Sequence, residues 1–151
     1  FTGATTADML DRLRREAAER FDVVVTSLGV NDVTGSRSLA TWRRQQEQLV
    51  ELLAARFGAR LILLSGLPPM HRFPALPQPL RWYLGSRARD FDRVLAEVAA
   101  RRPGCEFLAP GHEMMDASAM GGDGFHPGPP IYALWARAAA RRIDNCTQEK
   151  P

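Results

Sequence analysis

Apolar residues along the chain follow two spacings, one typical of helices and the other typical of buried strands. A spacing of three or four positions predicts helices over residues 5–20, 38–57, 86–102 and 129–143. Short, continuously apolar runs predict strands within residues 21–32, 59–69 and 105–110. Because helices alternate with strands that are apolar on both faces, the pattern predicts an α/β fold, with a parallel sheet between two layers of helices.

The length and composition describe one globular domain. The chain has 151 residues, of which 45% are hydrophobic and 25% charged, a balance typical of a protein with a buried core. The net charge is only +3, and the basic residues, all arginine except Lys150, are scattered along polar helix faces. This distribution argues against a nucleic-acid-binding surface, and no apolar run approaches the ~20 residues that span a bilayer.

The polar residues that follow the strands are the candidates for chemistry, because parallel α/β sheets bind ligands at the carboxyl ends of their strands. The first strand is followed by Gly29-Val30-Asn31-Asp32. The glycine allows a sharp turn, and the Asn31 amide is a neutral donor that can stabilise an oxyanion. The alternative is an Asx turn, in which Asn31 and Asp32 only cap the following segment.

A second polar pair, Asp123 and His126, follows the third strand in the sequence DGFHPGPP. Asp123 can accept a hydrogen bond from Nδ1 of the imidazole, so that Nε2 can take a proton from a hydroxyl. The alternative is a surface histidine with Asp123 as a turn residue. Because both pairs fall at one predicted sheet edge, their coincidence favours catalysis. Gly3, before the first helix, either directs its N–H to this edge or serves a tight turn with positive φ.

Gly3 in GATT, Asn31 in GVND, and Asp123 with His126 in DGFHP resemble blocks II, III and V of the SGNH hydrolases, also called the GDSL esterase/lipase family. The resemblance extends to about residue 143 and implies a flavodoxin-like three-layer α/β/α sandwich. It also implies that Gly3 and Asn31 donate to an oxyanion hole, that His126 is the general base, and that Asp123 orients it. The implied activity is that of a serine esterase, lipase or thioesterase with a covalent acyl-enzyme.

The nucleophile of that family, a serine in a Gly-Asp-Ser block, does not occur in this sequence. Ser27 and Ser65 sit in strand-like runs, and no other serine lies in a matching block. We therefore expect the first strand and its serine to precede Phe1. Residues 1–144 would then be the C-terminal part of a single domain, followed by a polar tail at 145–151. The alternative is a non-catalytic binding module that keeps the fold without a nucleophile.

A proline-rich segment, residues 66–85, carries large apolar side chains between the second strand and the third helix. Met70, Phe73 and Trp82 are candidates for the wall of an acyl-chain pocket, and the alternative is a hydrophobic cluster beneath a long loop. The three histidines lack the spacing of a metal site. The expected partner is a small ester or acyl substrate, with no metal, organic cofactor, nucleic acid or stable membrane insertion. The sequence leaves the oligomeric state open, and the compartment too, with the cytoplasm slightly favoured.

Overall fold

A parallel sheet forms the centre of the molecule. The computed structural model describes residues 3–110 and 119–148. Within these residues three strands form one parallel sheet in the order β1-β2-β3: β1 (Val23–Thr26), β2 (Leu61–Ser65) and β3 (Cys105–Leu108). The α-helices are α1 (Thr6–Arg15), α2 (Val30–Thr34), α3 (Leu39–Ala55), α4 (Leu80–Ala100) and α5 (Pro129–Gln148), and Met70–Arg72 form a 3₁₀ turn. The predicted parallel α/β architecture is confirmed.

The sheet has a hydrophobic cluster on each face, because successive side chains of a strand point in opposite directions. Ile62 and Leu64 of β2 belong to the larger cluster, which they form with residues of α1, α3 and α4. Leu61 and Leu63 belong to the second cluster, to which α5 contributes Ala139. The sheet therefore lies between two helical layers, as a three-layer sandwich requires.

The outer strand β1 is less buried than the central strand. Every residue of β2 is buried, whereas all residues of β1 are half-buried. The difference arises because β1 lies at an edge of the sheet within the described residues, while β2 has a neighbour on each side. Burial on both faces, predicted from the apolar runs, is therefore confirmed for β2, whereas β1 packs against the clusters on both faces but is only half-buried.

Two helix boundaries differ from the sequence prediction. α1 ends at Arg15 rather than at residue 20, and the carbonyl of Glu16 accepts a hydrogen bond of 2.6 Å from Nη2 of Arg56. This contact holds the chain where it leaves the helix. α4 begins at Leu80 rather than at residue 86, directly after Pro79, whose fixed φ suits the start of a helix.

Two further differences concern segments predicted as turn and tail. α2 is a five-residue helix in place of a turn, because one helical turn is too short to produce a periodic apolar pattern. α5 continues through Gln148, beyond its predicted end at residue 143, so residues 145–148 of the expected tail are helical. Neither difference alters the sheet edge at which the candidate site lies.

Candidate active site

The turn after β1 is made by Gly29, which immediately precedes α2. Its φ of +123° lies in a region that residues with a Cβ rarely adopt. A Cβ at this position would also come within 2.9 Å of the Trp42 ring and 3.2 Å of the Leu67 side chain. Glycine is therefore needed here, and the turn places Asn31 in the first turn of α2, just beyond the carboxyl end of β1.

The side-chain amide of Asn31 is held by the loop that precedes α1. Its Nδ2 donates a hydrogen bond of 3.0 Å to the backbone carbonyl of Ala4. This contact fixes which end of the amide donates, and because the nitrogen carries two hydrogens, a second N–H is left for a ligand. Asn31 lies inside α2 and its amide reaches a distant segment, which disfavours the alternative of an Asx turn.

Asp32 is buried and joins α2 to the start of α1. Its Oδ2 accepts hydrogen bonds of 3.0 Å from both the backbone N–H and the hydroxyl of Thr6, and Gln46 donates to the same hydroxyl at 3.0 Å. Burial raises the pKa of Asp32, while the Thr6 hydrogen bonds and Arg37, 3.8 Å from Oδ1, act in the opposite direction. The loop before α1 is thereby fastened to α2.

Gly3 lies in that same loop and adopts a φ of +84°. A Cβ added to Gly3 would meet no atom of the described residues within 4 Å, so it is the backbone conformation, not space, that favours glycine. The tight turn proposed as the alternative role is therefore present. It is compatible with the other role, because a residue in such a turn can still offer its N–H to a ligand.

Asp123 and His126 form a hydrogen-bonded pair in the loop before α5. His126 Nδ1 lies 2.5 Å from Asp123 Oδ2, and Asp123 Oδ1 accepts the backbone N–H groups of Phe125 and His126 at 3.0 and 2.9 Å. These hydrogen bonds, above all the one from the imidazole, hold the pKa of Asp123 well below its usual range. An ionised Asp123 keeps the proton on Nδ1, so Nε2 is the basic nitrogen. The imidazole is accessible, since 68% of its side-chain surface is exposed.

Phe125 anchors this loop to the core. Its ring meets the ring of Phe73 edge to face with centroids 5.3 Å apart, and the His126 imidazole packs against Phe125 at the same separation. Phe73 belongs to the larger hydrophobic cluster. A backbone hydrogen bond of 3.3 Å from Ala75 to the carbonyl of Gly124 adds a second contact. The His126 loop therefore rests on the segment that follows β2.

A cavity of about 270 Å³ opens between the ends of β1 and β2. Asn31, Ala4, Ser27 and Leu67 line it together with other small and apolar residues. His126 is not one of its lining residues. Within the described residues, the structure thus brings Asn31 and the loop before α1 into contact, and it packs the His126 loop against the segment that follows β2.

The two serines near the strand ends have different surroundings. Ser65, the last residue of β2, is buried, and its hydroxyl accepts a hydrogen bond of 2.9 Å from the indole N–H of Trp135. Ser27 lies just after β1, is exposed, and lines the cavity beside Asn31. The hydroxyl of Ser65 is therefore engaged with Trp135, while Ser27 is exposed at the cavity.

The three candidates for the acyl-chain pocket divide according to their burial. Met70 and Phe73 are 0% and 3% exposed and belong to the larger hydrophobic cluster, so neither offers surface to a ligand. Their position supports the alternative, a hydrophobic cluster beneath the proline-rich segment, because these side chains fold inward onto the core. Trp82 is 65% exposed and lies in the first turn of α4 rather than in a loop. Trp82 thus remains available to a substrate.

Two charged residues of α4 hold neighbouring loops, and their sequence pattern gives no sign of this role. Asp92 Oδ1 accepts the backbone N–H of Leu67 at 2.7 Å, and burial raises the pKa of Asp92 to about 6. Arg87 donates hydrogen bonds to backbone carbonyls at the end of α2. Both residues fit the pattern of an ordinary amphipathic helix, so only their contacts in space distinguish them from solvated charges.

No cluster of histidine, cysteine, aspartate or glutamate side chains within 3–110 and 119–148 could hold a metal ion. Of the three histidines, His112 lies outside the described residues. His71 is packed against α4, where burial lowers its pKa and the nearby charges of Arg89 and Arg72 act in the same direction. Over the same part of the chain, no helix is both long and apolar enough to cross a membrane.

A parallel sheet between helical layers, with an asparagine and an aspartate–histidine pair beyond its strands, defines an α/β protein of the flavodoxin-like type. Residues 1–134 match the profile of the GDSL-like Lipase/Acylhydrolase family. The matched range contains the positions of Gly3, Asn31, Asp123 and His126. The chain belongs to this family, as the resemblance of its sequence blocks predicts.

Individual relatives agree with this assignment. A GDSL-like esterase of Mycobacterium tuberculosis is 30% identical over 134 residues, which are 85% of this chain and 42% of that protein, so the chain spans less than half of its length. An acetylxylan esterase from Geobacillus stearothermophilus superimposes with a TM-score of 0.66 at 20% identity, over 93% of this chain and 68% of that chain. An extracellular lipase from Streptomyces rimosus gives a TM-score of 0.63 at 19% identity, over 91% and 77%. At these identities the likeness to the solved structures concerns the fold.

Proposed function

We propose that the complete protein is a carboxylic ester hydrolase whose active site lies at the carboxyl edge of the sheet. The observation that carries the proposal is the exposed imidazole of His126, whose Nδ1 is bound at 2.5 Å to the carboxylate of Asp123. Membership of the GDSL-like family and the anchored amide of Asn31 in the helix that follows β1 support this activity.

In this mechanism His126 is the general base and Asp123 orients it. Nε2 of His126 takes the proton of a serine hydroxyl while the serine oxygen attacks the ester carbonyl, and it then passes that proton to the leaving alkoxide. The acyl group stays on the serine. His126 next takes a proton from water, whose oxygen attacks the acyl carbon, and returns it to the serine as the acid leaves. Asp123 keeps the ring in the required tautomer and stabilises the imidazolium.

The oxyanion of each tetrahedral intermediate is bound by the backbone N–H of Gly3 and the free N–H of Asn31. Both donors are held by the contact between α2 and the loop before α1, since Asn31 donates to Ala4 and Asp32 accepts from Thr6. Donors that are already fixed need no reorganisation during the reaction, and one such donor is worth about 2.7–4 kcal/mol.

The nucleophile in this proposal is a serine of a Gly-Asp-Ser block that precedes Phe1. Residues 1–144 are then the C-terminal part of the hydrolase domain. Ser65 is engaged with Trp135, and Ser27 stands in the sequence TSLG, which is not such a block. The reaction requires no metal or organic cofactor, and the substrate is a small ester or acyl compound that contacts the exposed Trp82.

Hydrolysis of p-nitrophenyl acetate by the complete protein tests the proposal. His126→Ala should abolish turnover, and Asp123→Asn should lower kcat by about 10⁴-fold because the wrong tautomer is favoured. His71→Gln is the matched control, since it alters a histidine that packs against Gly85 of α4. Turnover that survives in His126→Ala would remove this residue from the mechanism.

A fluorophosphonate probe followed by peptide mass spectrometry locates the nucleophile. Labelling of a serine upstream of Phe1, with unchanged labelling in Ser27→Ala, is the expected result. A label on Ser27 would instead place the nucleophile beside the cavity. A folded complete protein that neither cleaves short esters nor reacts with the probe would contradict the proposed activity.

A further inference from the structure

A half-buried arginine of α4 binds the end of the helix that carries Asn31. Nε of Arg87 donates to the carbonyl of Val33 at 3.1 Å, and its Nη2 donates to the carbonyls of Gly35 and Arg37 at 3.2 and 2.8 Å. These acceptors are the last turn of α2 and the chain just beyond it. One guanidinium therefore binds three backbone carbonyl groups between the last turn of α2 and the start of α3.

The guanidinium is itself held by aromatic rings of its own helix. Its central carbon lies 5.7 Å from the ring centroid of Tyr83 and 5.2 Å from that of Phe91. A planar cation that rests on aromatic rings loses little further freedom when it forms hydrogen bonds, and lysine has neither the planar shape nor the fork of donors. By contrast, Arg43 on α3 pairs with the carboxylate of Glu97 across the surface at 2.5 Å.

α2 depends on such contacts because it is very short. A helix leaves its final carbonyl groups without intrahelical partners, and in five residues these are nearly all of them. The turn has hydrogen bonds from Val33 to Gly29 at 2.8 Å and from Gly35 to Asn31 at 3.1 Å. An isolated helix of this length is unstable in water, so its orientation is set by what binds it from outside.

Two such anchors hold α2, one from α1 and one from α4. Asp32 binds Thr6 at the start of α1, and Arg87 binds the carbonyl groups at the other end. Asn31 directly precedes Asp32 in the same short helix. A small rotation of the turn about its axis would carry the Asn31 amide away from the carbonyl of Ala4, its partner at 3.0 Å.

We propose that Arg87 is a positioning residue for Asn31: it fixes α2 so that the amide of Asn31 keeps its orientation at the sheet edge. The proposal rests on the proposed function insofar as Asn31 donates to an oxyanion. The orientation of the amide can nevertheless be measured without any turnover.

The first measurement is NMR of the Asn31 side-chain amide in Arg87→Lys, with Arg43→Lys as the matched control. Loss of the fork should shift the two Nδ2 proton resonances and raise their exchange with solvent by about tenfold, as local opening of the turn becomes easier. Arg43→Lys also removes a guanidinium, the one that pairs α3 with Glu97 of α4, and it should leave the Asn31 resonances unchanged. Unchanged Asn31 resonances in a folded Arg87→Lys protein would overturn the proposal.

The second measurement is a double-mutant cycle on ester hydrolysis. Arg87→Lys alone should lower kcat by about tenfold, with KM within about twofold, because a misplaced donor affects the transition state. In an Asn31→Ala background the same substitution should have no further effect on kcat. An equal loss of kcat in both backgrounds would show that Arg87 acts independently of Asn31 and would overturn the proposal.

Two features keep these outcomes separable. If the complete protein does not hydrolyse esters, the proposed function fails, while the amide resonances still decide whether Arg87 positions Asn31. If Arg87→Lys does not fold, Tyr83→Leu provides the same test, because it removes one ring beneath the guanidinium. Tyr83→Leu should shift the Asn31 resonances in the same direction, and their constancy would count against the proposal.

Discussion

The ring of Phe125 stands edge to face against the ring of Phe73, and the same ring of Phe125 contacts the imidazole of His126. A buried core residue is thus linked through one aromatic side chain to an exposed histidine. The Asp123 carboxylate fixes the imidazole from a different direction, through Nδ1. The orientation of His126 therefore depends on a hydrogen bond within its loop and on a packing contact with the segment that follows β2.

Phe125→Leu should lower both stability and kcat. The substitution keeps most of the apolar volume but removes the aromatic contacts. Their loss should lower the free energy of unfolding by about 0.5–1.5 kcal/mol. The looser imidazole should reduce kcat several-fold with little change in KM. Urea unfolding and ester hydrolysis measure the two effects.

Phe21→Leu is the control for this prediction. The Phe21 and Phe57 rings also pack together, with centroids 6.4 Å apart, but they lie at the opposite end of β1 from Asn31. Phe21→Leu should lower stability and leave kcat unchanged. If both variants reduce kcat in proportion to their loss of stability, Phe125 has no specific role in orienting His126.

Asn31→Ala should reduce kcat by about 10²–10³-fold, which is the usual effect of removing one oxyanion donor. KM should change far less, because the lost hydrogen bond forms only in the transition state. Steady-state kinetics on the complete protein separate the two constants, and Asn145→Ala, at an exposed asparagine of α5, serves as the control. An unaltered kcat would mean that the amide serves only to bind Ala4.

Trp82→Ala should weaken discrimination between short and long acyl chains. With 65% of its surface exposed, the indole can be removed without a cavity in the core, so the change should act on substrate binding and not on folding. The ratio of kcat/KM for p-nitrophenyl octanoate and acetate is the measurement, and Leu39→Ala, an exposed apolar residue of α3, is the control. An identical chain-length profile would exclude Trp82 from the acyl site.

Asp92 should make stability depend on pH. Its pKa is raised from 3.8 to about 6 by burial, so between these values the folded protein binds more protons than the unfolded chain. The free energy of unfolding contributed by this group therefore falls as the pH rises through this range and is constant above it. Because the carboxylate is only half-buried, solvent screening reduces the effect to about 1–2 kcal/mol.

Asp92→Asn tests this dependence, because the amide oxygen can still accept the Leu67 N–H while the charge is lost. The free energy of unfolding of the variant minus that of the unsubstituted protein should therefore be larger at pH 7.5 than at pH 4. Urea unfolding at both values measures the gain, with Asp90→Asn as the control, since Asp90 forms an exposed ion pair with Arg93 at 3.3 Å. A difference in stability that does not vary with pH would contradict the prediction.

Much of the fold follows from local pattern. The apolar runs that contain Val24, Leu63 and Phe107 predict three strands, and all three form, because a buried parallel strand requires a nearly continuous apolar sequence. The polar residues after those strands identify the candidate site, since parallel topology brings all carboxyl ends to one edge. The pairing of Asp123 with His126 is equally local, because the two residues are three positions apart.

What the sequence determined by itself is therefore what depends on near neighbours and on periodicity: the strands, the order of layers, and the polar residues at the sheet edge. The tertiary structure decided which side chains meet across long stretches of chain. It buried Met70, left Trp82 exposed, held Asn31 against Ala4 and placed Arg87 on the end of α2. The physical reason is that these outcomes depend on packing between elements that are distant in sequence. The local sequence around an arginine or a tryptophan is the same whether its side chain meets solvent or another part of the protein.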